Sequence, residues 1–226
     1  MSIQLISITQ PTYGAFTDPS HGGKISMTAQ DLIAYCARVS NPANQTNLDT
    51  SAKLLSYCIR NQHWSPFEMV NVVFEINTTR DIARQILRHR SFSFQEFSQR
   101  YADPSQLGFT IREARLQDTK NRQNSIETDD VKLKKQWKET QEYITDIVKR
   151  NYEWAIQNGI AKEQARAILP EGITNSRLYM NGTLRSWIHY CQLRMANGTQ
   201  KEHQEIAKEC WSILCGQFSF LEDLNQ

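Results

Sequence analysis

The sequence lacks the features that would place this protein outside the ordinary globular class. Its 226 residues include nine glycines and six prolines, too few for a collagen-like or low-complexity chain. No apolar run approaches the roughly 18 residues that a membrane-spanning helix needs. The N-terminal residues, Met1–Leu5, carry neither a basic leader nor an apolar signal stretch. We therefore expect a cytoplasmic protein with no membrane partner.

Cysteine spacing and net charge exclude two further classes. The five cysteines form no C-x-x-C pair and show no zinc-finger spacing. The charge is almost balanced, with 26 lysines and arginines against 24 aspartates and glutamates, whereas a general polyanion-binding protein would be more basic. We expect reduced thiols, no metal site, and anion binding only where cationic side chains converge locally.

The hydrophobic pattern indicates an α+β fold, in which a small antiparallel or mixed sheet packs with several helices. No linker divides the chain, so we expect a single domain over residues 1–226. Alternating apolar residues predict three strands, at 3–8, 68–76 and 174–180. Residues 117–135 are polar and predict a solvated loop.

Helices are predicted where apolar residues recur at helical spacing next to capping residues. Thr28, with Asp31 three residues later, begins the first, and Thr78-Thr79 begins another that carries Ile82 and Ile86. The other predicted helices are one after Asp49, a long one ending at Gly159, a short one ending at Pro170, and two over 182–196 and 199–221.

The densest group of unusual residues lies between Arg80 and Arg100, where five arginines occur without a lysine. Arginine presents a planar fork of donors that suits phosphate and carboxylate oxygens, so the bias favours an anion site over the alternative of a solvated arginine face. On the predicted helix, Arg84 and Arg88 are four residues apart and Gln85 and Arg88 three apart, so we expect both pairs to lie on one face. The alternating serine and phenylalanine of 91–95 would suit a pocket with an apolar wall.

A specific motif follows from the same stretch. Arg88-His89-Arg90, seven further residues and then Ser98-Gln99-Arg100 reproduce the R-H-R-x7-S-x-R signature of the flavin-dependent thymidylate synthases, which the chain therefore resembles. Further stretches resemble the same family in the same order, at 63–68, 165–170 and 193–202.

The resemblance implies an activity, cofactors and an assembly. Enzymes of this family methylate dUMP to dTMP, with methylenetetrahydrofolate as carbon donor and FAD, reduced by NADPH, as hydride source. The family fold is α+β, and the enzyme is a homotetramer whose active sites are shared between subunits. Nucleic acid is not an expected partner.

The resemblance also assigns residues to dUMP. Arg194 matches the arginine that favours ionisation at N3 of uracil, and we treat it as the catalytic residue. A guanidinium stays charged and can stabilise a developing anion. Ser98 could instead be a nucleophile, but no base stands at a predictable position beside it. The dUMP-binding set is Gln85, Ile86, Leu87, Arg88, Glu96, Phe97, Ser98, Gln99, Arg100, Arg166 and Arg194.

The implied FAD contacts overlap this set. They are Ser65, Arg88, His89, Arg90, Glu96, Thr183, Leu184, Arg185 and His189. The chain departs from common family patterns at Met69, Gln95, Thr183 and His189, and the last two make the flavin contacts differ most from other members. His63 belongs to a matching stretch but could simply lie at a helix end. No G-x-G-x-x-G motif is present, so a Rossmann fold is not expected.

Alternative functions remain open at this point. The arginines and phenylalanines could form a non-catalytic nucleic-acid-binding surface, or the protein could oxidise NADPH through a flavin without transferring a methyl group. The predicted role of Trp137, Trp154 and Trp211 is to anchor the core or a subunit interface rather than to line the site.

Overall fold

The computed structural model describes residues 1–12, 14–17 and 22–225. The strands of this part of the chain are β1 (Ser2–Ile8), β2 (Asn71–Thr79), β3 (Ser93–Glu96), β4 (Arg115–Gln117), β5 (Ser125–Glu127) and β6 (Asn175–Thr183). β1, β2, β6 and β3 form one antiparallel sheet in that order, and β4 and β5 form a separate hairpin. The predicted α+β fold is confirmed.

The helices surround this sheet. They are α1 (Ala29–Ala37), α2 (Ser51–Arg60), α3 (Arg80–Ile86), α4 (Val131–Gln157), α5 (Lys162–Ala165), α6 (Leu184–Met195) and α7 (Lys201–Gln217). No helix among the described residues is long and apolar enough to span a bilayer.

β2 and β6 provide the buried face of the sheet. Val72, Phe74 and Ile76 of β2 are fully buried and alternate with more exposed residues, as the period of a strand requires. Phe74 pairs with Met180 of β6, and the indole of Trp187 on α6 donates to the Val72 carbonyl at 3.0 Å. The core therefore joins the middle of the sheet to α6.

Two helix ends follow from local sequence. Thr28 forms the predicted capping box with Asp31, since its Oγ1 accepts from the Asp31 amide at 3.2 Å and its own amide donates to the Asp31 carboxylate at 3.1 Å. At the end of α2, Gln62 has φ of 59°, and the His63 amide donates to the Cys58 carbonyl at 2.8 Å. His63 therefore closes a helix end, as one interpretation of it proposed.

The structure differs from the predicted elements in several places. The polar segment 117–135 contains β5, which pairs with β4 before α4 begins. β6 extends to Thr183, so α6 starts after the predicted position. Thr78 belongs to β2 and leaves Thr79 alone at the N-terminus of α3. The polar composition of 117–135 concealed strands that are held by backbone hydrogen bonds rather than by apolar burial.

Gly182, near the end of β6, lies directly under the ring of Phe92. A Cβ at this position would approach Phe92 Cδ1 to 2.4 Å and Cε1 to 2.5 Å. The Phe92 ring also packs edge-on against Trp187, with ring centroids 4.8 Å apart. The absence of a side chain at Gly182 thus allows the segment after α3 to lie against the sheet and α6.

We predict that Gly182→Ala lowers stability by about 1–3 kcal/mol, because the added methyl group must displace the buried Phe92 ring. Thermal or urea denaturation measures the loss. Gly216→Ala is the matched control, since nothing lies within 4 Å of its added Cβ and alanine is the better helix former. Equal stability of the Gly182→Ala variant and the wild type would contradict the packing described.

Candidate functional site

The first group of predicted site residues gathers beside α6. The Nε of Arg194 donates to Nε2 of His89 at 2.9 Å, and the His89 ring lies edge-on to Tyr190, with centroids 4.9 Å apart. The Tyr190 hydroxyl is 3.0 Å from Nε2 of His203. The Nδ1 of His203 is 3.3 Å from Oε1, the side-chain carbonyl oxygen of Gln85. We call these five residues the histidine cluster.

Both imidazoles of the histidine cluster are neutral at physiological pH. Burial, followed by the charges of Arg194 and Arg88, lowers the pKa of His89 to about 4. Burial, followed by Arg194 and His89, lowers the pKa of His203 to about 3. Since His89 accepts from Arg194 through Nε2, its proton lies on Nδ1.

The turn after α3 brings His89 to this place. α3 ends at Ile86, and residues 88–92 then run along α6, where the Ser91 carbonyl accepts from the Ser186 hydroxyl at 3.4 Å. Arg88 and Arg90 flank His89 and are exposed, and neither has an ion-pair partner among the residues that the structure describes.

The expected common face of Arg84, Gln85 and Arg88 is wrong, because the helix stops before Arg88. Arg84 instead forms an ion pair with Glu171, its Nε donating at 2.7 Å, whereas Gln85 donates to Gln200 at 2.8 Å. The two neighbours therefore point to different sides of α3. The phenylalanines of 91–95 likewise do not form a pocket wall, since Phe92 is buried in the core and Phe94 packs against it.

A second group surrounds a separate cavity of about 450 Å³, which we call the arginine pocket. Its lining residues are Arg80, Arg84, Gln99, Glu163, Arg166, Ala167, Leu169 and Glu171. Arg100 lies at its edge, 3.4 Å from the Glu163 carboxylate. Three lining arginines face two carboxylates here, so the pocket retains cationic donors for an anion.

Gln99 gives the arginine pocket an unusual property. It is only 5% exposed, and its buried Nε2 has no hydrogen-bond partner among the residues that the structure describes. A buried amide without a partner costs about 1–3 kcal/mol, so a ligand that accepts from it would recover that energy. The predicted binding role of Gln99 has this independent support.

Two neighbours from the motif hold local structure in the same region. The Glu96 carboxylate accepts from the Ser176 hydroxyl at 2.8 Å and from Arg80 at 3.4 Å. The Ser98 Oγ accepts from the Arg100 amide at 3.4 Å. No histidine contacts Ser98 among the interactions of the described residues, so nothing there activates its hydroxyl as a nucleophile.

A third group lies where α6 begins, opposite the loop 64–68. Arg185 donates to Glu68 at 2.6 Å, and the His189 ring lies 4.4 Å from Trp64. Burial, followed by the charge of Arg185, lowers the pKa of His189. Ser65 is exposed in the same loop. We call Trp64, Ser65, Glu68, Arg185 and His189 the α6 N-terminal group.

Some predicted residues have side chains or backbone groups that are already buried or hydrogen-bonded, so only their other groups can contact a ligand. The Ile86 and Leu184 side chains are fully buried, and the Leu184 amide already donates to the Val70 carbonyl at 2.8 Å. The Oγ1 of Thr183 accepts from the Ser186 amide at 3.2 Å and so caps α6. Leu87 and Phe97 are partly buried. Their expected ligand contacts stay predictions.

Arg166 and Arg194 belong to different groups of the described residues. Arg166 lines the arginine pocket, whereas Arg194 is held in the histidine cluster on α6. The residues that sequence reasoning grouped around one nucleotide thus form separate part-sites in the protomer.

Several residues of these part-sites were not predicted. Tyr190 and His203 complete the histidine cluster, and Glu163 and Glu171 balance the arginine pocket. A signal existed for His203, since it shares a helical face with the apolar Ile206, Ala207 and Cys210, and a histidine in such a stripe needs a buried partner.

The comparisons with known proteins show the family of the chain. The family described as thymidylate synthase complementing protein matches residues 25–218. A flavin-dependent thymidylate synthase of Synechocystis is 49% identical over 218 residues, which cover 96% of each chain. The chain belongs to the flavin-dependent thymidylate synthase family. A probable flavin-dependent thymidylate synthase of Paramecium bursaria Chlorella virus 1 is 47% identical over 96% of this chain and 95% of the viral one.

The solved structures support the fold of this flavin-dependent thymidylate synthase. A UMP/dUMP methylase, PolB from Streptomyces cacaoi, solved with 5-Br dUMP, has a TM-score of 0.75 and 21% identity, covering 98% of this chain and 93% of its own. These matches confirm three predictions: the family, the activity of an FAD-dependent methyltransferase that forms dTMP, and the FAD cofactor. The alternative of a non-catalytic nucleic-acid-binding module is wrong.

Proposed function

We propose that this enzyme methylates dUMP with methylenetetrahydrofolate and NADPH as co-substrates, and that each active site combines part-sites from different subunits of a homotetramer. The separation of Arg166 from Arg194 carries the second part of the proposal. A nucleotide that contacts both arginines needs one of them from another chain.

The surface of α4 supports an assembly. Trp154, Trp137 and Ile144 are 59%, 42% and 41% exposed, although large apolar side chains on one helix are usually covered. Trp211, in contrast, is buried in the core. We infer that the exposed tryptophans of α4 meet another subunit, whereas Trp211 anchors the protomer.

We place the dUMP phosphate in the arginine pocket. Arg166 and Arg100 supply cationic donors. Gln99 supplies an amide that has no partner among the described residues, and Ser98 directly precedes Gln99 in the chain. A guanidinium group can donate two parallel hydrogen bonds to phosphate oxygens, and it remains charged at any working pH. Charge-assisted hydrogen bonds of this kind hold the nucleotide by its phosphate. The uracil ring then lies in the part-site that contains Arg194.

Arg194 is the proposed catalytic residue. The hydrogen bond to His89 uses its Nε, so the Nη groups can point toward a ligand. A fixed guanidinium stabilises negative charge at N3 and the neighbouring oxygen of uracil, which makes the ring more nucleophilic. Because this charge can activate the ring, no enzyme nucleophile is required.

The residues present fit FAD. A flavin needs cationic partners for its pyrophosphate and an apolar or aromatic slot for its ring. Arg88 and Arg90 are exposed cations, His89 and His189 are neutral rings, and Trp64 widens the aromatic surface. Bound FAD would supply the hydride, after its reduction by NADPH.

The departures from the family pattern are compatible with this role. Thr183 caps α6 through its hydroxyl, as an asparagine could. His189 can donate or accept one hydrogen bond and stack. We propose that these two residues, with Ser65, Arg88, His89, Arg90, Glu96, Arg185 and the backbone at Leu184, hold the cofactor.

Arg194→Ala should reduce dTMP formation about 100-fold or more while flavin stays bound, because the lost interaction stabilises charge in the transition state. Formation of dTMP is followed by mass, and flavin content by absorbance. Arg60→Ala is the control, since the Arg60 side chain is exposed at the end of α2 and is assigned neither to a ligand nor to the subunit contact. Near-normal turnover of Arg194→Ala would remove its catalytic role.

Ser98→Ala should retain measurable dTMP formation with a weaker affinity for dUMP, since we place the hydroxyl in binding rather than in covalent catalysis. Steady-state kinetics separates KM from kcat. Complete loss of turnover with unchanged dUMP binding would restore the nucleophile hypothesis.

Mixed assemblies test the shared site. Arg166→Ala and Arg194→Ala chains, each nearly inactive alone, should regain about a quarter of wild-type activity when co-expressed, because random pairing leaves that share of sites with both arginines. Two affinity tags isolate the mixed assemblies. Activity that stays at the level of the separate variants would show that both arginines act within one chain.

A further inference from the structure

Gln85 lies in the middle of a part-buried chain of hydrogen bonds that joins the histidine cluster to Glu202. Its Nε2 donates to the Gln200 carbonyl oxygen at 2.8 Å, and the Gln200 Nε2 donates to the Glu202 carboxylate at 2.9 Å. On the other side, the Gln85 carbonyl oxygen is 3.3 Å from Nδ1 of His203, whose Nε2 is 3.0 Å from the Tyr190 hydroxyl.

Glu202 sets the direction of the whole chain. It is 7% exposed and lies between Arg112, at 3.0 Å, and Arg115, which donates to its other oxygen. Burial alone would raise the pKa of Glu202, but the bond from Arg115, the charge of Arg112 and the bond from Gln200 outweigh it and lower the pKa to about 2. The carboxylate is therefore ionised and can only accept.

The remaining orientations follow one by one. Because Glu202 accepts, Gln200 must present its NH₂ to it and its carbonyl oxygen to Gln85. Gln85 must then present its NH₂ to Gln200 and its own carbonyl oxygen to His203. His203 donates through Nδ1–H and is left to accept from Tyr190 through Nε2. An amide whose two ends are both held in this way cannot rotate by 180° without losing hydrogen bonds at each end.

We propose that Gln200, His203 and Glu202 are positioning residues that lock the amide orientation of Gln85, and that the locked amide selects a uracil edge over a cytosine edge. This inference rests on the proposed contact between Gln85 and dUMP. The chain uses one hydrogen of the Gln85 NH₂ and one lone pair of its carbonyl oxygen. One donor and one acceptor, in a known order, remain for a ligand.

The order matters because the two pyrimidines present opposite patterns. At position 4 of the ring, uracil has an acceptor oxygen, O4, also when N3 is ionised, whereas cytosine has a donor amino group, N4. An amide free to rotate matches either pattern, and a locked amide matches only one. Rejection of the wrong pattern is strong because buried polar groups are then left unpaired.

Gln200→Ala removes the link between Gln85 and Glu202. We expect the KM for dUMP to rise between about 2- and 10-fold, the size of one hydrogen bond, with little change in kcat or flavin content. We also expect competitive inhibition by dCMP to strengthen relative to dUMP binding, since the released amide can rotate. Loss of structural support alone would weaken both nucleotides together.

Gln204→Ala is the matched control. The Gln204 side chain lies in the first turn of α7, next to Gln200, and donates to the Ala196 carbonyl at 3.0 Å. It takes no part in the hydrogen-bond chain of Gln85. The KM of Gln204→Ala for dUMP and its ratio of dCMP inhibition to dUMP binding should therefore equal those of the wild type. Gln200→Met is the second variant. It removes both hydrogen bonds of the Gln200 side chain but keeps its length, so it should shift the same ratio in the same direction if Gln200→Ala does not fold.

Gln85→Ala separates the inference from the proposed function. If Gln85→Ala leaves the KM for dUMP unchanged, the contact is absent and the inference falls with it. If Gln85→Ala raises the KM but Gln200→Ala and Gln200→Met leave the nucleotide ratio unchanged, the inference alone is overturned. The result that supports it is a Gln200→Ala effect that disappears in the Gln85→Ala background, because residues that act through one side chain are not additive.

Discussion

The packing of the turn at residues 89–92 against α6 is the constraint on which the site depends. Phe92 enters the core over Gly182 and meets Trp187 edge-on. This anchor holds His89 beside Tyr190, where it accepts from Arg194. The exposed arginines on either side of His89 are thereby carried to the surface of α6 without buried partners of their own.

Burial in this region also sets the chemistry of the histidines. His89 and His203 lie in an apolar setting beside arginines, and both effects disfavour a charged imidazole. A neutral His89 can accept from Arg194, and a neutral His203 can link Tyr190 to Gln85. The positive charge of the site therefore resides on guanidinium groups, which keep it at any physiological pH.

Charge is balanced differently in the two main part-sites. In the arginine pocket, Glu163 and Glu171 face arginines at the surface, so exchange of these exposed pairs for a phosphate costs little. At the far end of the Gln85 chain, Glu202 is buried between Arg112 and Arg115, where loss of any partner would leave a charge uncompensated. The first arrangement suits a ligand that comes and goes, and the second suits permanent support.

The predictions from sequence succeeded where local patterns suffice. The alternation of β2 predicts its strand, Thr28 and Asp31 predict the start of α1, and the R-H-R-x7-S-x-R motif predicts the family. They failed where contacts outside the predicted element decide the result. α3 stops at Ile86 because the chain must turn to place Phe92 in the core, and the segment 117–135 contains a strand because its partner lies a few residues upstream.

The amino-acid sequence by itself determined the α+β class and the family, because these follow from side-chain chemistry at fixed spacing. Only the tertiary structure decided that Arg166 and Arg194 lie in different groups, that the buried Gln99 amide has no partner among the described residues, and that Gln85 is tied to Glu202. Each of these depends on contacts between residues far apart in the sequence, and no local spacing encodes such contacts.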